Sequence, residues 1–126
     1  MTDLIARFDV TGFEPSTLPG IEGEWVGALV MRKTYTEGIV GSAVLHFVSS
    51  GTEASRGYLA AERITATLDG VAGEVTVHHG ALNSPDDPTA FGYIVPGTGT
   101  GAFESWSGTA RIVHDEVGPY FVFSLA

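Results

Sequence analysis

A carboxylate and an imidazole share one face of a hairpin predicted in the middle of the chain. Residues 61–80, AERITATLDGVAGEVTVHHG, read as two strands joined at Asp69-Gly70, because Asp-Gly between apolar runs is a strong hairpin signal. Side chains alternate between the two faces of a strand. Glu62 then falls on the more apolar face of the first strand, and His79 falls on the apolar face of the second.

The sequence is compatible with two registers of this hairpin. If residues 69–72 form a four-residue loop, Glu62 lies directly opposite His79. If the Asp-Gly dipeptide alone makes the turn, Glu62 faces Val77 and His79 is its diagonal neighbour. Directly opposed Cβ atoms are about 5 Å apart, and both registers keep the two groups on one face. We therefore expect Glu62 and His79 to meet in the interior.

This pair supports two interpretations. A carboxylate bonded to an imidazole fixes the tautomer of the ring and raises its basicity, which suits a general acid or base. Alternatively, the two groups are a buried polar pair that only satisfies its own hydrogen bonds. Glu62 and His79 are the candidate catalytic residues, and both interpretations stay open.

Other site chemistries find less support in the sequence. The chain has no cysteine, which excludes disulfides and thiolate ligands. His78 and His79 point to opposite faces of one strand, and zinc needs three or four ligands, so we expect no metal. The segment PGTGTG, residues 96–101, lacks the lysine and the helix of a phosphate-binding loop. It indicates a turn at a barrel corner, and we expect no cofactor.

Length and composition set the broad class. The 126 residues, of which 44% are hydrophobic, predict one domain over residues 1–126 with a single core. The start lacks the apolar run of a signal peptide, so we expect a cytoplasmic protein. Six basic residues stand against 15 acidic ones, a net charge of −9. This balance disfavours nucleic acid and anionic membranes as partners.

Seventeen glycines punctuate short apolar runs, as is typical of a β-meander. A loop precedes the second predicted strand, where the Glu14–Glu22 segment permits a short helix, and Asn83–Pro88 is a second loop. The eight predicted strands are Leu4–Val10, Trp25–Thr36, Ile39–Ser49, Arg56–Leu68, Glu74–Leu82, Ala90–Val95, Gly108–His114 and Tyr120–Leu125. Short turns favour antiparallel pairing, and eight strands can close. The predicted fold is all-β: an eight-stranded antiparallel, lipocalin-like β-barrel with a central cavity.

A barrel of this size can hold one small ligand. We expect a mostly apolar cavity reached from one end, and a hydrophobic small molecule as the partner. Its candidate ligand-binding residues are aromatic side chains on the predicted strands: Tyr58, Trp25, Phe47, Tyr93 and Phe121.

The second and eighth predicted strands carry apolar side chains on both faces. A barrel has one interior, so one face of each strand must be covered by something else. We expect a homodimer formed through these outer faces, with Val26 and Val30 as outward candidates. The competing interpretation is a monomer in which the Glu14–Glu22 segment folds over the patch.

Two stretches resemble a known family. YLAAERITATLDGVAGEVTVHHG and IVPGTGTGAFESWSGTARI, residues 58–80 and 94–112, resemble a bacterial family of unassigned function that shares the barrel of the plant allene oxide cyclases. The shared pattern is a Glu-Arg strand, a DG-x-x-G turn, a strand ending in His, and Pro-Gly-[Ser/Thr]-Gly-Thr-Gly. The resemblance covers roughly Thr34 to the C-terminus and departs at His78 and at the bulky SWSG of Ser105–Gly108.

This resemblance implies an allene oxide cyclase-like barrel of eight antiparallel strands around a central cavity. It implies no particular reaction. The plant enzymes cyclise an unsaturated epoxide largely by holding its shape, and related bacterial barrels include polyketide cyclases. No catalytic residue carries over, because the site residues of those enzymes do not map onto this sequence position by position.

Three functions follow as hypotheses. The first is a cofactor-free cyclase or isomerase of a polyunsaturated or polyketide-like molecule, working by templating with acid–base help from the Glu62–His79 pair. The second is a non-catalytic, lipocalin-like carrier of a small apolar ligand. The third is a structural barrel with a filled interior and an interaction surface.

Overall fold

The protein is a closed barrel of eight antiparallel strands, as the sequence predicts. In this computed structural model, which describes residues 2–83 and 89–126, each strand pairs with the next and β8 pairs with β1. Within those residues no helix is long and apolar enough to cross a membrane. The strands are β1 (Thr2–Ser16), β2 (Val26–Glu37), β3 (Val40–Gly51), β4 (Arg56–Leu68), β5 (Val71–Asn83), β6 (Ala90–Ile94), β7 (Gly108–His114) and β8 (Pro119–Leu125).

The largest departure from the predicted strands is at the start of the chain. β1 runs to Ser16, and residues 17–25 hold no helix, so the helix permitted over Glu14–Glu22 is wrong. The physical reason is that β1 serves two neighbours. Its first part, Thr2–Arg7, pairs with β8, and its longer second part, Arg7–Ser16, pairs with β2, with register shifts after Arg7 and after Val10. Of the predicted Asn83–Pro88 loop, Asn83 ends β5, and residues 84–88 lie outside the described residues.

The central hairpin adopts the second of the two registers. Asp69 and Gly70 have φ angles of 51° and 81°, the left-handed pair of a type I′ turn. Leu68 pairs with Val71, and Glu62 therefore pairs with Val77. His79 is the diagonal neighbour of Glu62 on the same inner face.

One end of the barrel, which we call the lower end, is closed by the residues between β6 and β7. This end holds the Asp-Gly turn. Phe103, in a single 3₁₀ turn over Gly101–Phe103, and Trp106 are buried there. Their rings are 4.7 Å apart, and Trp106 is 5.1 Å from the ring of Phe123 on β8. The apolar core thus continues to the lower end.

The PGTGTG segment extends the sheet where β6 has ended. The hydroxyls of Thr98 and Thr100 accept hydrogen bonds from the backbone N–H groups of Thr76 and Glu74, each at 3.1 Å. The hydroxyl groups take the place of a strand partner for β5. The segment lies so close that a Cβ on Gly73 would be 2.1 Å from the carbonyl oxygen of Thr100. The segment thus holds in place Phe103 and Trp106, the two buried rings that we call the plug.

We expect Gly73→Ala to destabilise the protein by about 2–3 kcal/mol, because the added methyl overpacks this contact. The matched control is Gly12→Ala in β1, where an added Cβ would meet nothing within 4 Å; it should stay within about 0.5 kcal/mol of wild type. Urea unfolding measures both. Equal effects of the two substitutions would contradict this account of the plug.

Candidate functional site

The Glu62 carboxylate lies at the centre of the interior and accepts hydrogen bonds from three side chains. It is fully buried, and Lys33 and His79 are each 3% exposed. Lys33 Nζ and His79 Nε2 donate to Oε1 at 2.8 and 2.9 Å, and the Tyr35 hydroxyl donates to Oε2 at 2.6 Å. Burial of a charge is tolerated only with such pairing. The expected meeting of Glu62 and His79 is therefore observed, inside a larger network.

The network keeps Glu62 ionised. Burial by itself raises the pKa of the Glu62 carboxyl, but the hydrogen bond from His79 and the charge of Lys33 outweigh burial and hold this pKa below its ordinary value. Burial lowers the pKa of Lys33 despite the nearby carboxylate. Burial and the charge of Glu62 together raise the pKa of Tyr35 well above its ordinary value, so its hydroxyl remains a donor.

Small residues on β3 let two side chains of β2 reach Glu62 on β4. Lys33 pairs with Ala43, and Tyr35 pairs with Gly41, so little stands between these side chains and the next strand. The Lys33 ammonium also lies over two aromatic faces, 3.9 Å from the ring centre of Phe8 and 4.8 Å from that of Phe121. Such cation–π contacts offset part of the hydration that the ammonium loses.

His79 links this network to Tyr58. The Glu62 carboxylate can only accept, so Nε2 of His79 carries the hydrogen that faces it. In the neutral ring, Nδ1 is then an acceptor, and the Tyr58 hydroxyl donates to it at 3.2 Å. Burial and the charge of Glu62 raise the pKa of Tyr58. The result is a continuous chain from Tyr58 through His79 to Glu62, with the phenol protonated.

A pocket of about 190 Å³ ends on this chain. It lies at the end of the barrel opposite the plug, beside the turn that connects β7 to β8. Four polar side chains line it: Lys33, Tyr58, His79 and His114. Its other lining residues are Phe8, Val10, Met31, Leu45, Phe47, Ile112 and Pro119.

The five predicted ligand-binding residues separate into three groups. Tyr58 and Phe47 line the pocket, with their rings stacked 4.5 Å apart. Phe121 does not line it; this ring is fully buried and packs 5.4 Å from the ring of His79. Trp25 and Tyr93 are 56% and 45% exposed, and their expected place on the cavity wall is wrong.

The two errors have different causes. β2 begins only at Val26, so Trp25 belongs to the preceding loop, where its indole N–H donates to the Glu22 carbonyl at 2.9 Å. Tyr93 is on β6, but Gly92 and Ile94 take the inner positions there. Its hydroxyl bonds to His78 at 2.9 Å on the outside of the barrel.

Lys33 and Tyr35 are the site residues that the sequence reading missed. The sequence contained a signal for them, because Lys33 and Tyr35 fall on the same face of β2 as Leu29 and Met31. A lysine on an apolar face predicts a buried acidic partner, just as Glu62 predicts a buried basic one, because a buried charge must be paired. Within residues 2–83 and 89–126, no group of three or more His, Asp or Glu side chains could hold a metal ion.

The family model for proteins of unknown function DUF3224 matches residues 4–124. The chain belongs to the DUF3224 family. The fold is also similar to the crystal structure of a DUF3224 protein of unknown function from Shewanella oneidensis MR-1, with a TM-score of 0.84 and 22% identity. That similarity covers 100% of this chain and 96% of the other. No curated protein matches the sequence.

We expect Glu62→Gln to destabilise the protein by about 3–5 kcal/mol, because it leaves the Lys33 ammonium buried without a counter-charge. Lys33→Met should cost a similar amount by leaving the carboxylate uncompensated. The double variant Lys33→Met/Glu62→Gln should lose less than the sum of the two single variants. Urea unfolding of the four proteins measures the coupling, and additive losses would show that the two charges do not depend on each other.

The same pair predicts the acid limit of stability. The folded pKa of Glu62 is lowered, so its stabilising contribution is present above the ordinary value of 4.5 and disappears as the pH falls through the folded value. The wild-type unfolding free energy should therefore fall more steeply below about pH 5 than that of the Lys33→Met/Glu62→Gln double variant. Urea midpoints from pH 6 down to pH 3 test this. Replacement of the exposed loop residue Glu53 by Gln is the control and should follow wild type.

Proposed function

We propose that this protein binds a compact, mostly apolar molecule in the 190 Å³ pocket and catalyses proton transfer on it, as an isomerase or cyclase without a cofactor. The observation that carries the proposal is the Tyr58–His79–Glu62 chain, which ends on a mostly apolar pocket. Hydrogen-bonded groups that end on a pocket are the arrangement that acid–base catalysis uses.

The pocket limits the size of the ligand. Its volume of about 190 Å³ is smaller than the roughly 300–1,000 Å³ of the pockets that bind drug-sized ligands. A short carbonyl compound, such as a polyketide-like fragment or a cyclic enone, fits this space. A long polyunsaturated chain would extend beyond the mouth at Val10, His114 and Pro119.

The arrangement supports one sequence of proton movements. His79 Nδ1 takes a proton from the carbon next to the substrate carbonyl, while the Tyr58 hydroxyl turns from Nδ1 and donates to the carbonyl oxygen. The enolate and the imidazolium form together, and Glu62 stabilises the imidazolium as the carboxylate of a catalytic triad does. The proton returns to another carbon of the same molecule, which isomerises the substrate.

The raised pKa of Tyr58 supports its place as the hydrogen-bond donor, because a protonated phenol can stabilise negative charge that develops on oxygen. The apolar walls supply the second contribution, since Phe47, Met31 and Leu45 lie on paired strands and would hold a flexible substrate in one shape. The resemblance to the allene oxide cyclase barrels favours such templating.

A carrier without catalytic activity is the second candidate. It is favoured by the internal compensation of Glu62, whose charge and hydrogen bonds are met by Lys33, Tyr35 and His79 without any ligand. A carrier would use the same pocket, with Tyr58 as the polar anchor.

Proton exchange with solvent separates the two candidates. Compact cyclic ketones, β,γ-unsaturated ketones and β-diketones are incubated with the protein in D₂O, and NMR follows deuterium incorporation and double-bond migration. We expect wild type to accelerate exchange for at least one of these compounds. His79→Gln should lower that rate by about 10²–10⁴-fold, the usual contribution of a general base.

The chain provides a matched control on the outside of the barrel. Tyr93 and His78 make the same hydroxyl-to-Nδ1 contact as the inner pair, at 2.9 Å, but they do not touch Glu62. Tyr58→Phe should lower the exchange rate, and Tyr93→Phe and His78→Gln should leave it unchanged. Saturable binding without exchange would select the carrier, and neither binding nor exchange across the panel would overturn both candidates.

A further inference from the structure

The outward side of β3–β6 is an exposed apolar surface, which we call the outer face. Large apolar side chains stand out from it on all four strands. Their exposed fractions are 62% for Leu59 on β4, 49% for Leu82 on β5, 45% for Phe91 and for Tyr93 on β6, and 59% and 39% for Val40 and Val44 on β3. They do not belong to the pocket, because alternation turns them away from the interior.

This face is hollow rather than evenly convex. Ala61 and Gly80 provide almost no side chain at its middle, and the Phe91 ring lies over Gly80, where an added Cβ would be 2.7 Å from ring atom Cζ. Two adjoining hollows of about 420 and 330 Å³ share His46 and Ala61. Leu59 and the rings of β6 form raised edges beside them, so the surface has both projections and recesses.

The outer face also carries almost none of the chain's net charge. The chain has 15 acidic residues and a net charge of −9. Among the described residues on the outward side of β3–β6, Glu74 is the one carboxylate, and it is paired with Arg63 at 3.0 Å. Two copies of so acidic a chain repel each other wherever their carboxylates meet. This repulsion is weak across the outer face, where the carboxylate of Glu74 is already paired with an arginine.

We propose that the outer face is the interface of a homodimer, with the second copy related by a two-fold axis. From the exposures above, its apolar side chains present on the order of 500 Å². A standard interface contributes about 800 Å² per partner, of which somewhat more than half is apolar. The available surface therefore matches what one protomer of a stable dimer buries.

This placement differs from the one expected from the sequence. The outward apolar side chains of β2 and β8, among them Val30 and Val122, are half-buried, so those strands expose less apolar surface. A basic partner would be drawn to the acidic remainder of the chain, and an acidic one would gain nothing specific from a neutral face. A second copy of the chain would bring an outer face of equally low charge. Around a two-fold axis, the projections of each copy could pack into the recesses of the other.

The test is the mass in solution. Sedimentation equilibrium of wild type at tens of micromolar should give twice the chain mass of 13.2 kDa. Leu59→Glu puts a charge on a raised edge of the outer face, beside its hollows, and should return the mass to that of one chain. The control is Ile5→Glu on the outward side of β1, where Ile5 is 54% exposed; this variant should remain a dimer. Circular dichroism and thermal unfolding show that each variant is folded.

A wild-type mass of one chain at all concentrations up to about 100 μM would overturn the proposal, and the face would then serve another partner. An oligomer that Leu59→Glu leaves intact, or that Ile5→Glu disrupts instead, would place the interface elsewhere and overturn it equally. A wild-type dimer together with a folded Leu59→Glu variant that has the mass of one chain would support it. The outcome does not depend on the proposed proton transfer.

Discussion

The buried Glu62 carboxylate is the constraint on which the rest of the interior depends. An ionised carboxylate in an apolar core costs several kcal/mol unless charge and hydrogen bonds compensate it. Here the compensation comes from Lys33 and Tyr35 on β2 and from His79 on β5. The four side chains join three strands across the barrel, so the hydrogen bonds to Glu62 fix the orientation of each group. His79 in turn positions Tyr58, the group that meets the pocket.

This network divides the barrel into a closed part and an open part. On one side, Phe103, Trp106 and Phe123 fill the space to the lower end. On the other, the side chains stop short, and a pocket of about 190 Å³ remains. A small barrel with eight strands has room for little more than its own side chains. An opening at one end, with polar groups at its base, is therefore a specific feature of how this chain fills the space.

The barrel contains the same Tyr–His contact twice, once inside and once outside. His78 and His79 are neighbours in sequence, and each bonds to a tyrosine through Nδ1. The inner pair adjoins a buried carboxylate and an apolar pocket, where electrostatic interactions are strong because water is scarce. The outer pair lies on the outer face. The two pairs thus contain the same residue types in different environments, and only the inner pair is placed to act on a molecule in the pocket. Membership of the DUF3224 family does not by itself assign a reaction to either pair.

The sequence by itself determined the parts of this protein that depend on short-range geometry. Alternation placed Glu62 and His79 on one face, and Asp69-Gly70 limited their hairpin to two registers, because both signals act within one or two strands. Tertiary structure decided the rest. The bond from Lys33 to Glu62 spans a strand and needs the curvature of a closed barrel and the small Ala43. Tyr93 faced outward because Gly92 and Ile94 took the inner positions of β6. A one-residue change of phase reverses every side chain of a strand, so only the closed sheet decides which groups line the pocket.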